Sequence, residues 1–153
     1  MSPDLDRIFK AYDVRGVVPD ELDVDTARRI GGAFASWSAA PRLLIGRDCR
    51  LSSPELAAAL ADGITAAGAD VTDIGLASTD LLYFASGSLD LPGIMLTASH
   101  NPPNYNGMKF CLAGAKPVGQ DTGLADIRAL AAGPVPQPSA SPGSVEHRDL
   151  LDA

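Results

Sequence analysis

Three short apolar runs constrain this chain most. Arg42-Leu43-Leu44-Ile45-Gly46 has the character of a buried strand, Val71-Thr72-Asp73-Ile74-Gly75 reads as a second strand and Gly93-Ile94-Met95-Leu96-Thr97 as a third, apolar one. The stretches between them carry helical spacing instead. Alternation of this kind builds βαβ units, in which a parallel sheet is covered by helices on its faces. The expected class is therefore α/β, a three-layer α/β/α domain with a mainly parallel sheet.

The helical stretches have recognisable starts. Asp23 is a candidate N-cap for a helix whose Ala27, Ile30, Phe34 and Trp37 share one face, with Pro41 beyond its end. Ser53-Pro54-Glu55 reads as a hydroxyl cap, a proline at the first helical position and an acid behind it. Leu56, Leu60, Ile64 and Ala67 follow as a buried stripe, and Gly68 is a terminator. Ser78-Thr79-Asp80 caps a shorter helix expected to stop at Gly87, and a last one is expected over Gly123 to Ala132. Phe9 to Val18 reads as a short strand or an irregular lead-in, closed by Pro19. Met108-Lys109-Phe110-Cys111-Leu112 returns from the third apolar run through a short connection, so it is expected to pair antiparallel and make the sheet mixed. Asn106-Gly107 ahead of it is a turn signal.

Charge and composition narrow the function classes. The 153 residues carry 12 Lys+Arg against 19 Asp+Glu, a formal charge of −7. A generic nucleic-acid binder normally shows a basic patch or stripe, so no nucleic-acid partner is expected. No apolar run approaches the length of a membrane span. The N-terminus is acidic where a signal peptide would be basic and then apolar, and two cysteines, Cys49 and Cys111, are too few for a disulfide scaffold. These features describe a soluble cytoplasmic protein. Gly133 to Gly143 is crowded with proline and serine, a linker composition. The domain is accordingly expected over residues 1–133, with residues 134–153 a linker towards a missing second domain.

In open α/β sheets, ligands bind beyond the carboxyl ends of the strands. The segment Ala98 to Gly107 leaves such an end and holds a serine, a histidine, three asparagines and two successive prolines. Pro102 and Pro103 have fixed φ and no N–H, so they stiffen the loop without hydrogen bonds of their own. A stiff loop carrying the Ser99 hydroxyl suits a nucleophile or a phosphate carrier, although a structured polar turn has the same composition. Lys109, ten positions after Ser99, lies at the start of the returning strand, where a hairpin-like path would bring its ammonium towards that hydroxyl. A serine-hydrolase reading is weaker, because no Gly-x-Ser-x-Gly surrounds Ser99 and His147 lies in the linker stretch.

Thr97-Ala98-Ser99-His100-Asn101-Pro102-Pro103-Asn104-Tyr105-Asn106-Gly107-Met108-Lys109 resembles the phosphoserine loop of the α-D-phosphohexomutases, the phosphomannomutase/phosphoglucomutase family. Phe9-Lys10-Ala11-Tyr12-Asp13-Val14-Arg15-Gly16 resembles that family's N-terminal signature, and Gly46-Arg47-Asp48-Cys49-Arg50-Leu51-Ser52 its second. The three motifs stand in the family's order and spacing, and the resemblance covers the first of its four domains.

The resemblance implies an isomerase that moves a phosphoryl group between the 1- and 6-positions of a hexose phosphate through a bisphosphorylated sugar. Ser99 would be the phosphorylated carrier. Lys109 would supply positive charge and a group able to move a proton, and Arg15 a fork for phosphate oxygens. Tyr12 would stand beside the same site, with His100 and Asn101 shaping the loop. Arg47 and Asp48 read as support, with a salt bridge of Asp48 to Arg50 or another nearby partner expected. A Mg²⁺ ion would be held in part through the oxygen of Ser99 or its phosphate.

The family's aspartate-rich metal loop, of Asp-Gly-Asp-Gly-Asp-Arg type, has no counterpart here, and the sugar-recognition segments of the later domains are missing. Asp4/Asp6 and Asp23/Asp25 read as caps or solvated charges. The remaining metal ligands and the choice between mannose and glucose phosphates would then come from the other domains of the parent enzyme, and the 153-residue piece alone would lack appreciable mutase activity. A reading of another class keeps the fold without the reaction, as a binding or assembly domain.

Overall fold

The computed structural model describes residues 4–98, 101–134 and 137–149. Among these residues seven strands form one mixed sheet: β1 (Val14–Val17), β2 (Arg42–Arg47), β3 (Asp70–Leu76), β4 (Gly93–Leu96), β5 (Tyr105–Leu112), β6 (Lys116–Pro117) and β7 (Val145–His147). Four helices accompany them, α1 (Val24–Ser38), α2 (Ser53–Ala66), α3 (Thr79–Leu89) and α4 (Leu124–Ala132). The strand order is β1-β5-β4-β2-β3-β7, with β6 paired to β5. β4, β2, β3 and β7 run parallel, while β5 lies antiparallel to both β4 and β1. The α/β class, the parallel centre and the reversed fifth strand agree with the sequence reading.

The helix starts follow the capping chemistry. The Asp23 carboxylate accepts the Thr26 N–H at 2.8 Å, and the Ser78 hydroxyl accepts the Leu81 N–H at 3.0 Å. Each satisfies a donor that the first turn leaves orphaned.

Burial explains the uninterrupted apolar runs. Leu43, Ile45, Ile94 and Leu96 belong to the large core that contains Phe34 of α1, Leu60 of α2 and Ile127 of α4. Leu44 and Met95 point the other way, into a smaller core with Leu82 and Ala85 of α3. Successive strand residues thus bury on opposite faces. Where α1 crosses α2 the backbones approach closely: a Cβ on Gly63 would collide with the Arg28 carbonyl oxygen. Phe34 is fully buried, with ring centroids 5.0 Å from Phe110 and 6.1 Å from Trp37. Phe34→Ala is expected to lower stability by about 3–5 kcal/mol, read as a shift in the midpoint of chemical denaturation.

Four local expectations need correction. Ser53 is not the cap of α2: Ser52 occupies that position without a side-chain cap bond. Ser53 is buried, and its hydroxyl donates to Asp48 Oδ1 at 2.8 Å instead. α3 runs through Gly87 to Leu89 and ends at Asp90, whose φ of 58° provides the left-handed cap. Asn106-Gly107 is not a turn but lies within β5, paired to Gly16 and Arg15 of β1. Finally, the proline- and serine-rich stretch leads into β7, which pairs parallel with β3 from Val71↔Val145 to Asp73↔His147. Three exposed residues on a sheet edge show no alternation by which sequence could single them out.

Candidate phosphate-relay site

The parallel strands β2 and β4 end side by side, Arg47 opposite Leu96, and the loops that follow converge there. The Asp48 N–H donates to the Leu96 carbonyl at 3.0 Å, tying the second signature to the end of β4. One row further the Thr97 N–H donates to the Gly107 carbonyl at 2.9 Å, and the Asn101 N–H donates to the Ala98 carbonyl at 3.0 Å. Ser99 and His100, the expected carrier and its neighbour, lie outside the described residues; both of their flanks are held by these bonds.

Arg50 connects the second signature to the loop. Its Nη1 donates to the carbonyls of Pro102 at 2.7 Å and Tyr105 at 3.0 Å, and its Nη2 to that of Asn101 at 2.9 Å. Nε donates to Asp48 Oδ2 at 3.2 Å, so the expected Asp48–Arg50 pair is present. Asp48 Oδ1 accepts both the Arg50 N–H at 3.1 Å and the Ser53 hydroxyl. Fully buried Asn106 extends the network, its Nδ2 donating to the hydroxyls of Ser52 at 2.8 Å and Ser53 at 3.0 Å. Its Oδ1 accepts the Gly107 N–H at 2.8 Å. The start of α2 and the start of β5 are thereby joined through side chains, while the end of β4 is tied in by backbone bonds. Gly107 permits the close approach of β1, since a Cβ there would collide with the Val14 carbonyl oxygen.

Arg15 reaches the same loop from β1, its Nε donating to Asp13 Oδ1 at 3.1 Å and its Nη1 to Asn101 Oδ1 at 3.4 Å. Arg15 is registered with Gly107, and Lys109 lies two residues further along β5, registered with Met95. Cross-strand partners share a face, as do residues two apart on one strand. Arg15 and Lys109 therefore project from the same side of the sheet, opposite to Val14 and Met108 in the large core. Lys109 is half-buried and makes no ion pair among the described residues. The structure thus brings together Arg15, Asn101, Asp48, Arg50 and the stem of the serine loop.

The other candidates sit differently. Tyr12 is 81% exposed, and its ring stands over Gly119. Arg47 turns away from the loop towards Asp73, at 4.0 Å. Asp6 and Asp25 pair with Arg128 and with Arg28 and Arg29, as expected of solvated charges. Burial pushes the Cys111 thiol up, which keeps it protonated and unreactive. Among the described residues no three His, Cys, Asp or Glu side chains could hold a metal ion together. Asp13 and Asp48, the acids beside the loop, are engaged by Arg15 and Arg50. The described residues therefore do not provide a magnesium cage.

Sequence reasoning missed two members of this network. Arg50 was visible only as a partner for Asp48, and Asn106 only as a turn residue. The overlooked signal is the loop's acceptor excess: Pro102 and Pro103 contribute carbonyls without N–H groups, and a guanidinium fork nearby suits those carbonyls.

The comparisons agree with this architecture. The family model described as phosphoglucomutase/phosphomannomutase, alpha/beta/alpha domain I, matches residues 6–133. A phosphomannomutase of Klebsiella pneumoniae is 51% identical over 124 residues, which cover 80% of this chain and 79% of the relative. A phosphomannomutase of Escherichia coli is likewise 51% identical over 124 residues, 80% of this chain but only 27% of its own length. The crystal structure of a phosphoglucomutase/phosphomannomutase family protein from Burkholderia thailandensis superimposes with a TM-score of 0.85 at 40% identity, over 95% of this chain and 33% of that one. The chain thus spans about a quarter to a third of the longer relatives, and over the part it shares with them it belongs to the phosphoglucomutase/phosphomannomutase family, as that family's α/β/α domain I.

Proposed function

We propose that this chain is the phosphoserine-bearing domain of a phosphohexomutase, with Ser99 as the carrier that relays a phosphoryl group between the 1- and 6-positions of a hexose phosphate. The observation that carries the reading is the convergence of Arg15 and the Asp48–Arg50 pair on the loop that follows β4.

The phosphoserine O–P bond breaks as a sugar hydroxyl oxygen bonds to phosphorus; the sugar hydroxyl proton leaves to a base and a proton is returned to the departing serine oxygen, giving a hexose 1,6-bisphosphate and the free serine. After the sugar turns over, the Ser99 oxygen loses its proton and bonds to the other phosphorus as that sugar O–P bond breaks, and the released sugar oxygen is protonated, giving the isomeric monophosphate and regenerating the phosphoenzyme. Such transfers depend mainly on positioning and on charge stabilisation. Arg15 offers a planar donor fork, and Lys109 an ammonium on the same side of the sheet. A magnesium ion, when bound, would supply further countercharge to the phosphoryl group. Its ligands other than the Ser99 oxygen would come from outside the described residues.

Under this reading the mutase acts in the cytoplasm on mannose or glucose phosphates, with the sugar held partly by domains beyond this chain. Because β7 completes this domain's sheet, the boundary towards the next domain falls beyond His147, and the 153-residue chain alone does not interconvert hexose phosphates. The test is peptide mapping of the full-length mutase quenched during turnover with a hexose 1,6-bisphosphate. One phosphate is expected on the peptide containing Ser99; turnover without any phosphate on that peptide overturns the assignment.

A further inference from the structure

We propose that Arg50 is a positioning residue of the serine loop, acting by holding loop carbonyls rather than by binding the sugar's phosphate. This inference rests on the assignment of Ser99 as the carrier and goes beyond it by naming what aims that carrier.

An arginine beside a phosphate-carrying loop would ordinarily be read as an anion ligand. The bonding of Arg50 points elsewhere. A guanidinium has five N–H donors in a fixed fork. Among the described residues at least four of those of Arg50 are engaged: Nε to Asp48, both of Nη1 to the carbonyls of Pro102 and Tyr105, and one of Nη2 to that of Asn101. The three carbonyls all lie just beyond Ser99 and span the stretch through Pro102 and Pro103 to the start of β5. That stretch has few donors of its own, because neither proline carries an N–H. The Tyr105 N–H donates to the Pro102 carbonyl at 3.0 Å, and Arg50 adds the second bond to the same oxygen.

Arg50 is itself fixed. Its side chain is only 11% exposed and is braced at Nε by Asp48, which also accepts the Ser53 hydroxyl and the backbone N–H of Arg50. Ser53 in turn is bonded by Asn106 on β5. Loop, helix α2 and strand β5 thus close a ring of bonds in which Arg50 is the only side chain to contact three loop carbonyls among the described residues. A lysine can keep the charge at this position but not the planar geometry that reaches all three.

Catalytic geometry is sensitive to small displacements, and a misplacement of about 1 Å costs on the order of 10²-fold in rate. The experiment compares Arg50→Ala, Arg50→Lys and Asp48→Asn with the unaltered full-length mutase, measuring kcat, KM for the hexose phosphate and the thermal midpoint. For Arg50→Ala, kcat is expected to fall roughly 10²-fold with KM within about twofold, the signature of lost alignment rather than lost binding. Arg50→Lys is expected to recover little of that loss. Asp48→Asn, which keeps the guanidinium and loosens its brace, should lower kcat in the same direction by less.

A raised KM with kcat unchanged would make Arg50 a substrate ligand and overturn the inference. Restoration by Arg50→Lys to the unaltered rate would show that charge alone is needed, and would overturn it equally. If Arg50→Ala does not fold, the kcat and KM of Arg50→Lys decide on the same terms. Ser99→Ala in parallel separates the two levels. Retained turnover there removes the carrier assignment itself, whereas loss there with an unaffected Arg50→Ala removes only the positioning role.

Discussion

Ser99→Ala is expected to lower kcat of the full-length mutase by on the order of 10³-fold or more, equivalent to about 4 kcal/mol or more of transition-state stabilisation. Under the proposed relay the substitution deletes the atom on which the phosphoryl group rests between sugar oxygens, and an alanine methyl forms no P–O bond. Two described hydroxyls at the same end of the sheet are engaged in other bonds: Ser52 and Ser53 accept from Asn106, and Ser53 donates to Asp48. The fold should persist, because both flanks of Ser99 are held by backbone bonds and by the side chains of Arg50, Asn101 and Asn106. The measurement is interconversion of mannose or glucose 1- and 6-phosphates with the bisphosphate supplied, accompanied by a thermal melt. A melt close to the unaltered protein and a loss of this size would fit the carrier role, whereas near-normal turnover would place the relay on another atom.

How much of this was legible beforehand depended on the kind of residue. Leu43, Leu44 and Ile45 could be read as a strand covered on both sides because a short apolar run without alternation needs cover on both of its faces, and the two cores divide these residues as expected. Asp23 and Ser78 could be read as caps because the bond is local, three residues in span. Ser53 could not. Its distraction from capping is a contact with Asp48, set by where β2 ends relative to α2, and no local pattern encodes that. Asn106-Gly107 misled for a related reason. The pair favours tight turns in isolation, but here β1 lies so close that only glycine fits opposite Arg15, and the buried amide finds hydroxyls across the sheet end. The motifs placed the loop and its two signatures, while the hydrogen bonds joining them became visible only with the strands in register.

Lys109→Ala is expected to reduce kcat by roughly 10²- to 10³-fold, the usual cost of removing one preorganised group that stabilises developing charge. The argument begins with register. Lys109 opposes Met95 on β4 and shares a side of the sheet with Arg15, which bonds Asn101 of the serine loop. The residue is half-buried and forms no ion pair among the described residues, so the alanine breaks no described salt bridge. Stability should fall by only about 1 kcal/mol, the cost of truncating the half-buried stem. A large kinetic effect beside so small a thermal one is what a group held for a doubly charged phosphate would produce. Lys109→Arg is expected to recover at least about tenfold of the loss, because phosphoryl transfer draws chiefly on countercharge and placement. An arginine with no recovery would shift the role of Lys109 towards moving the hydroxyl proton, which a guanidinium does not release in proteins. A Lys109→Ala enzyme with unaltered kcat would remove the ammonium from the site.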